Sequence, residues 1–394
     1  HADSGFNPEK AVPYEQRAYS NVIELGPEIL LTPTPTPSPT VTPTPTISSQ
    51  PPPACPSSPD ADWTKTSSGF IPMSDLLSGT YLGFEGGLYP GKSNVRPLAH
   101  EASGLALAQA IEPLDANGNP SSAGKIVLIS IGMSNTLQEF AAFIPLAQSD
   151  TTKDPVLVTV NGAMGSQGAE NWARQTTPWT NLDSKLRASG VTSQQVQAAW
   201  IKLAHVDPSF NFPDNTIALK NDIKTVVQLL KDKYPNVKVA YLSSRIYGGY
   251  STSQRRNEPV SYEGGFAMKW LIEDQISGDS SLNFDSAKGV AEAPWLSWGP
   301  YLWADGLGSD NLVNGVPGRS DGLEWLCTDL EDDGIHPSPL GEQKVASMLL
   351  NFLKTDSTAS QWYLESPPVS PTPSPTPTPG TGGGPTPTST PTPT

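Results

Sequence analysis

The sequence predicts a doubly wound α/β domain, built on a parallel sheet that helices cover on both faces. Two observations predict it. Four short, mainly apolar segments occur in the middle of the chain, and segments with helical periodicity alternate with them. Apolar runs without alternation are typical of strands that are buried on both faces, and strands that alternate with helices form a parallel sheet. In such sheets, ligands bind at the carboxyl ends of the strands.

The predicted strands are rich in Ile, Val and Leu. They are residues 126–131, 156–160, 198–203 and 237–242. Ser134 follows the first strand, and Asn161 with Gly162 follows the second. These residues are therefore expected at the edge of the sheet where a site forms.

The predicted helices repeat apolar residues every three or four positions. They are residues 136–147, 214–234, 262–276 and 338–354. Ser338 and Pro339 suit the start of the last helix, because serine can accept a hydrogen bond from first-turn amides and proline has no N–H to lose there. Most of the stretch 243–328 lacks a clear pattern, and we expect it to elaborate the mouth of the site.

Proline is concentrated in two tracts, where it alternates with Thr or Ser. The tracts are residues 32–59 and 365–394, and they hold most of the 42 prolines. Such tracts cannot bury apolar surface and favour an extended polyproline conformation, so we predict two semi-rigid linkers. Residues 60–364 form the predicted domain, with enough apolar residues for one large core, and residues 1–31 a short, mostly polar leader.

Charge and hydropathy argue against two classes of partner. The chain has 24 basic and 39 acidic residues, a net charge of −15, which makes nucleic acid a poor partner. No apolar run has the length of a membrane span, so no insertion into a bilayer is expected. The linkers indicate a secreted, extracellular or cell-surface protein that is tethered to further modules. Because the chain starts at His1 and stops within a repeat, we expect it to derive from a longer polypeptide.

The two cysteines, Cys55 and Cys327, are too few for a disulfide scaffold and wrongly spaced for a metal site. A disulfide between them would join the start of the domain to a segment six residues before Asp333. The alternative is two unrelated thiols.

Ser134 is the candidate nucleophile. A hydroxyl at the start of a helix lies at the positive end of the helix dipole, which favours a nearby oxyanion. The alternative for Ser134 alone is a structural helix cap.

Asp333 and His336 are the candidate partners of Ser134. They lie three residues apart on a predicted turn, a spacing that lets a carboxylate reach one imidazole nitrogen while the other faces a hydroxyl. Only four histidines are present, and His336 is the best placed to act as a base. A turn aspartate and a surface histidine are the alternative in isolation, but the order of the three residues on an α/β pattern favours a catalytic triad.

These motifs resemble those of the SGNH, or GDSL-type, hydrolases. Gly132-Met133-Ser134 takes the place of the family's Gly-Asp-Ser block, and Asp333 with His336 matches its last block. Residues 161–166 (Asn-Gly-Ala-Met-Gly-Ser) resemble the block whose glycine amide lines the oxyanion hole, here Gly165. The resemblance implies a three-layer α/β/α domain with a flavodoxin-like parallel sheet, and an esterase, lipase or carbohydrate deacetylase.

Two positions depart from the family pattern. Met133 replaces the aspartate of the first block, and His205 stands about where the third block has its asparagine oxyanion donor. An imidazole N–H can also donate to an oxyanion, which makes Ser134, Gly165 and His205 the predicted oxyanion hole. The alternatives are that His205 is a hydrogen-bonded loop residue and that the enzyme is weakened or inactive, since one lost donor costs about a hundred- to a thousandfold in rate.

The aromatic run 294–303 is a candidate platform for sugar rings. It contains Trp295, Trp298 and Trp303, and Arg245 follows the fourth predicted strand and could line the same mouth. Core or lid packing is the alternative for each tryptophan.

Together, these features favour a secreted serine esterase, with an acylated carbohydrate or a small ester as its substrate and a polysaccharide O-deacetylase as the leading expectation. No metal or organic cofactor is implied. The alternatives are an inactive SGNH-like module with a structural, adhesive or glycan-binding role, and a lipase-like esterase.

Overall fold

The structure, a computed structural model, describes residues 54–208, 211–253, 257–308, 311–313 and 315–365. The predicted leader (1–31), most of the first linker (32–59) and all but the first residue of the second (365–394) lie outside these ranges. Their assignment therefore stays a prediction, as do the domain boundaries.

Five parallel strands form the central sheet. In chain order, the strands of the described residues are β1 (Thr80–Tyr81), β2 (Phe84–Glu85), β3 (Ile126–Gly132), β4 (Leu157–Val160), β5 (Val196–Lys202), β6 (Val239–Leu242), β7 (Trp295–Trp298), β8 (Leu312–Val313) and β9 (Val316–Pro317). The central sheet has the order β4-β3-β5-β6-β7, and every neighbouring pair is parallel. Numbered from 1 to 5 in chain order, these strands have the flavodoxin-like order 2-1-3-4-5. The chain first adds β4 on one side of β3 and then adds β5, β6 and β7 on the other side, so the switch point of the sheet lies between β3 and β5.

The four predicted strands are confirmed, with shifts of one to two residues at their ends. Every residue of β3, β5 and β6 is buried, which explains why their sequences are apolar throughout. The fifth strand, β7, was missed. It lies within the aromatic run 294–303, whose Trp, Ser and Pro content does not resemble an aliphatic core strand.

Helices flank the sheet, as expected of a three-layer α/β/α domain. They are α1 (Leu98–Gln109), α2 (Ser134–Ser149), α3 (Ala169–Arg174), α4 (Thr177–Ala188), α5 (Asp214–Lys233), α6 (Val260–Ile276), α7 (Pro339–Thr355) and α8 (Ser360–Tyr363). Helix α2 packs on α7, while α5 packs on both α3 and α6. The start predicted for α7 is confirmed: the Ser338 hydroxyl accepts hydrogen bonds from the amides of Leu340 and Gly341, and Pro339 is the first helical residue.

A disulfide joins Cys55 to Cys327, with 5.2 Å between their Cα atoms. The chain that follows Cys55 is also held by a backbone hydrogen bond: the Asp62 N–H donates to the Tyr250 carbonyl at 2.7 Å. The start of the described chain is thereby fixed beside the segment that leads to Asp333.

Among the described residues, no helix combines the length and the apolar character that a membrane crossing requires.

Candidate active site

Ser134 lies where β3 ends and α2 begins. Gly132 closes the strand, and a Cβ at this position would collide with the side chain of Thr136, so the sharp turn requires glycine. Met133 is extended (φ −95°, ψ −161°), and Ser134 is the first residue of α2. The first-turn amides of a helix have no partner inside it and carry a partial positive charge. Ser134 therefore presents its hydroxyl beside amides that can stabilise an oxyanion.

The loop before α7 carries His336. Leu330 and Pro337 form a β-bridge across it, and the Glu331 amide donates to the His336 carbonyl at 2.8 Å. At its tip, Gly334 has φ +66°, and a Cβ there would lie 2.9 Å from the amide nitrogen of Ser251. The turn thus needs glycine for both its dihedral angle and its packing.

Ser134, His336 and Asp333 form a continuous hydrogen-bonded chain. The Ser134 Oγ lies 2.8 Å from His336 Nε2, and His336 Nδ1 lies 2.5 Å from Asp333 Oδ2. An ionised carboxylate can only accept hydrogen bonds, so Nδ1 carries the proton. In the neutral ring, Nε2 then accepts the hydrogen bond from the serine hydroxyl. This arrangement prepares Ser134 to lose its proton to His336.

Asp333 is held as an anion. Burial would raise the pKa of Asp333, but hydrogen bonds from the His336 ring and from the amides of His336 and Ile335 outweigh it and lower the pKa to about 2. The two amides each donate to Oδ1 at 2.9 Å, which leaves Oδ2 for the imidazole. The carboxylate therefore fixes the tautomer and orientation of the His336 ring.

The loop after β4 lies against the end of β3, from which α2 and Ser134 follow. The Met164 amide donates to the Gly132 carbonyl at 3.0 Å, which holds residues 162–166 against the end of β3. No acceptor among the described residues takes the amide of Gly165. Ser166, which lines the cavity at Ser134, has the left-handed backbone angle φ +60° that non-glycine residues rarely adopt. Sequence reasoning missed Ser166.

His205 also lines the cavity, but its hydrogen bonds differ from those expected. Its Nε2 lies 2.9 Å from Asp222 Oδ2, and its Nδ1 lies 3.5 Å from Asn215 Oδ1. Both acceptors belong to α5, and Arg174 pairs with the other oxygen of Asp222 at 2.6 Å. Both ring nitrogens therefore face protein acceptors. The structure fits the alternative of a hydrogen-bonded loop histidine rather than an oxyanion donor.

The cavity beside Ser134 is small, about 150 Å³. The residues that line it are Met133, Ser134, Asn135, Ser166, His205, Val206, Arg245, Ile335 and His336. Arg245 thus lies where the sequence suggested. Larger clefts of about 440 and 650 Å³ occur around Val290, and the Ser134–His336 pair lines neither of them.

The predicted tryptophan platform is wrong. Trp295 and Trp303 are fully buried and Trp298 is 3% exposed, so none presents a face to a sugar. Each indole N–H donates within the protein, to the His100 carbonyl, the Glu258 carboxylate and the Leu88 carbonyl respectively. These residues belong to β7 and the chain after it, and they pack in the core.

No group of three or more His, Cys, Asp or Glu side chains suited to a metal ion occurs in the part of the chain that the structure describes.

Comparison with known proteins gives distant structural similarities. No family model and no curated protein matches the chain. One similar solved structure is a carbohydrate esterase family 3 protein from Talaromyces cellulolyticus, with 14% identity over 57% of this chain and 94% of that chain, at a TM-score of 0.32. The catalytic domain of a Streptococcus pneumoniae peptidoglycan O-acetyltransferase shares 14% identity (62% of this chain, 99% of that chain, TM-score 0.29). The periplasmic domain of a Salmonella Paratyphi A lipopolysaccharide acetyltransferase shares 11% identity over 64% of this chain and 95% of that chain, at a TM-score of 0.30. At TM-scores near 0.3, these similarities bear neither on activity nor on substrate.

Proposed function

We propose that this protein is a serine esterase of the SGNH type that removes short acyl groups from carbohydrates. The observation that carries the proposal is the hydrogen-bonded chain from Ser134 through His336 to Asp333, at 2.8 and 2.5 Å. The motif resemblance supports the family. The position of the site, at the switch point between β3 and β5 of a flavodoxin-like sheet, supports it as well.

The reaction is an acyl transfer in two steps. Ser134 Oγ attacks the ester carbonyl while His336 Nε2 takes its proton, and Asp333 stabilises the imidazolium that forms. The amides of Ser134 and Gly165 are the proposed donors to the tetrahedral oxyanion. His336 then protonates the leaving alcohol oxygen, which leaves an acyl-Ser134 enzyme. Water, deprotonated by His336, attacks that ester and releases the acid, and the serine regains its proton.

The size of the cavity supports a short acyl group. A volume of about 150 Å³ matches that of an engineered cavity that binds benzene, and it lies below the roughly 300 to 1,000 Å³ of pockets for drug-sized ligands. An acetyl group fits such a space, while a long fatty acyl chain does not. We therefore favour the deacetylase over the lipase-like alternative.

The linkers support a polymeric substrate and a secreted location. A tethered enzyme reaches insoluble polymers, and extended linkers hold modules apart. The acylated polysaccharide, the secretion and the further modules are proposed on this basis.

The second candidate is an inactive SGNH-like module that binds glycans or serves a structural role. The hydrogen bonds of His205 favour it, because Asp222 and Asn215 engage the ring that replaces the family's asparagine donor. One missing donor costs about a hundred- to a thousandfold, which weakens an esterase without abolishing it.

The deciding experiment is hydrolysis of p-nitrophenyl acetate by the wild type and by Ser134→Ala. Ser149→Ala is the matched control, because Ser149 lies exposed at the far end of the same helix. We expect turnover that is lost in Ser134→Ala and kept in Ser149→Ala. Equal background rates in all three proteins would reject the esterase and favour the binding module. Rates that rise with acyl chain length would favour a lipase-like enzyme.

A further inference from the structure

Two charged side chains form an ion pair inside the core, next to the chain that carries Ser134. Glu139 is the single charged residue of α2, and Lys202 is the single charged residue of β5. Glu139 is fully buried and Lys202 is 3% exposed, and Lys202 Nζ donates a hydrogen bond to Glu139 Oε1. Lysine and glutamate are rarely buried in this way unless they are paired. The pair links α2, whose first residue is Ser134, to the end of β5.

Lys202 also contacts the chain on both sides of Ser134. It is the register partner of Gly132, the last residue of β3. Its carbonyl accepts a hydrogen bond from Thr136 Oγ1 at 2.8 Å. Ser134 lies midway between Gly132 and Thr136 in the chain, and Glu139 follows on the next turn of the helix. Contacts with one residue of β5 therefore bracket the candidate nucleophile.

Stability alone does not account for the pair. Burial raises the pKa of Glu139 and lowers that of Lys202, and their mutual attraction offsets part of each shift. The cost of burying two charges is repaid only when further hydrogen bonds complete both groups. Glu139 Oε2 accepts no hydrogen bond from the described residues. Two apolar side chains of similar volume would be about as stabilising at this place, or more so.

A residue of the cavity beside Ser134 is within electrostatic reach of the pair. Arg245 lines that cavity, and it interacts with the charges of both Glu139 and Lys202. The pair therefore lies in the neighbourhood of the site and not in a remote part of the core.

We propose that Glu139 and Lys202 are positioning residues, whose buried contact fixes α2 to the end of β5 and so holds the Ser134 hydroxyl within reach of His336. This inference rests on the proposed esterase function. Neither side chain lines the cavity, so both act through the backbone that bears Ser134 and take no part in bond breaking. The geometry leaves little room for displacement, because a misplacement of about 1 Å can cost about a hundredfold in rate.

The first test replaces the charged pair with an apolar pair of similar volume, Glu139→Met with Lys202→Met. We expect this double Met variant to melt at or above the wild-type temperature, because no charge is left buried. Its kcat on p-nitrophenyl acetate should fall about ten- to hundredfold, while KM should stay near the wild-type value because the cavity keeps its lining. A wild-type kcat in the folded variant would overturn the proposal. A variant that unfolds or melts well below the wild type would also overturn it, because the pair would then be a requirement for stability.

The second test keeps a polar contact and removes one charge. In Glu139→Gln, the amide oxygen can still accept a hydrogen bond from Lys202, while the buried ammonium loses its counter-charge. This variant should melt below the wild type and still be faster than the double Met variant, so stability and kcat should rank the two variants in opposite orders. A folded Glu139→Gln protein as slow as the double Met variant would overturn the proposal. If Glu139→Gln does not fold, the double Met variant decides alone.

A second pair of the same residue types provides the matched control. Lys269 and Glu273 lie one turn apart on α6, with 2.6 Å between Nζ and Oε1, and the lysine is 2% exposed. Neither residue lines the cavity beside Ser134. Lys269→Met with Glu273→Met should leave kcat at the wild-type value. An equal loss of kcat in this control would reject a specific role for Glu139 and Lys202.

Crystal structures separate this inference from the esterase proposal. If Ser134-dependent hydrolysis occurs and the double Met variant matches the wild type, the inference fails and the esterase stands. If no protein hydrolyses the ester, the esterase fails, and crystal structures of the wild type and the double Met variant decide the inference. A hydrogen bond between Ser134 Oγ and His336 Nε2 that is lost only in the variant supports the positioning role, and an unchanged distance rejects it.

Discussion

Asn135 ties the start of α2 to the loop that carries His336: its Nδ2 donates to the carbonyl oxygen of Ile335 at 2.9 Å. The two residues lie 200 positions apart, and each is the direct neighbour of a residue of the Ser134–His336 pair. Asn135 is buried, at 8% exposure. One buried hydrogen bond thus helps to hold α2 against the loop before α7, and with it the imidazole within reach of the hydroxyl.

Asn135→Ala should therefore lower kcat more than it raises KM. Without this hydrogen bond the His336 loop loses one of its links to α2, and a misplacement of about 1 Å can cost about a hundredfold in rate. We expect a ten- to hundredfold loss of kcat on p-nitrophenyl acetate, on the same principle. Asn351→Ala, at an exposed position of α7, is the control and should leave both constants unchanged. A rise in KM alone would instead assign Asn135 to substrate binding.

Sequence patterns predicted the sheet because its strands follow a simple rule. Strands β3, β5 and β6 are buried on both faces and therefore apolar throughout. Strand β7 has the sequence Trp-Leu-Ser-Trp, which does not follow that rule. Only its pairing with β6 shows that it belongs to the central sheet. The aromatic run was therefore a candidate sugar platform, with core packing as the alternative, and the structure shows core packing.

The candidate site was predictable only where its chemistry lies within short motifs. Asp333 and His336 are three residues apart, so one loop brings them together. The partners of His205 are different, because Asn215 and Asp222 come from α5 and no local pattern marks them. Likewise, nothing in the sequence indicates the left-handed backbone of Ser166.

The three residues of the hydrogen-bonded chain should act as one unit. We expect Ser134→Ala and His336→Ala each to lower kcat by about four to six powers of ten. The double variant should be no slower than either single one, because each substitution already removes the nucleophilic route. Kinetics of the three variants under identical conditions check this. Additive losses would mean that Ser134 and His336 contribute independently, against the proposed mechanism.

Asp333 should stabilise the protein in a pH-dependent way. Its pKa is lowered from an ordinary 3.8 to about 2 in the folded state, so the folded protein binds fewer protons there than the unfolded chain does. Its contribution to the free energy of unfolding is therefore complete above about pH 5 and is lost as the pH falls from about 4 to 2. The gap in unfolding free energy between wild type and Asp333→Asn should narrow over that interval in denaturant titrations. Asp332→Asn, at the exposed neighbouring position, should show no such narrowing, and a gap independent of pH would contradict the prediction.

The Cys55–Cys327 disulfide should contribute to stability more than to catalysis. It joins residues 272 positions apart, so it constrains the unfolded chain strongly, and removing it should cost roughly 2 to 5 kcal/mol. For a domain of this size, the double Cys→Ser variant should melt about 5 to 10 °C lower. Its kcat at 25 °C should stay within about twofold of the wild type, because hydrogen bonds also hold the His336 loop. Thermal unfolding with and without a reductant checks the prediction, and equal melting temperatures would contradict it.

Trp298→Ala should destabilise the protein without weakening substrate binding. Trp298 is 3% exposed, its indole N–H donates to the Leu88 carbonyl at 2.6 Å, and its ring packs edge-on against Tyr301 at 5.6 Å. Loss of such a side chain typically costs about 3 to 5 kcal/mol through the cavity it leaves. Chemical denaturation should show this loss, while KM for an acetylated sugar should stay at the wild-type value at a temperature where the variant is folded. A raised KM with unchanged stability would restore the sugar platform and reject a core role for Trp298.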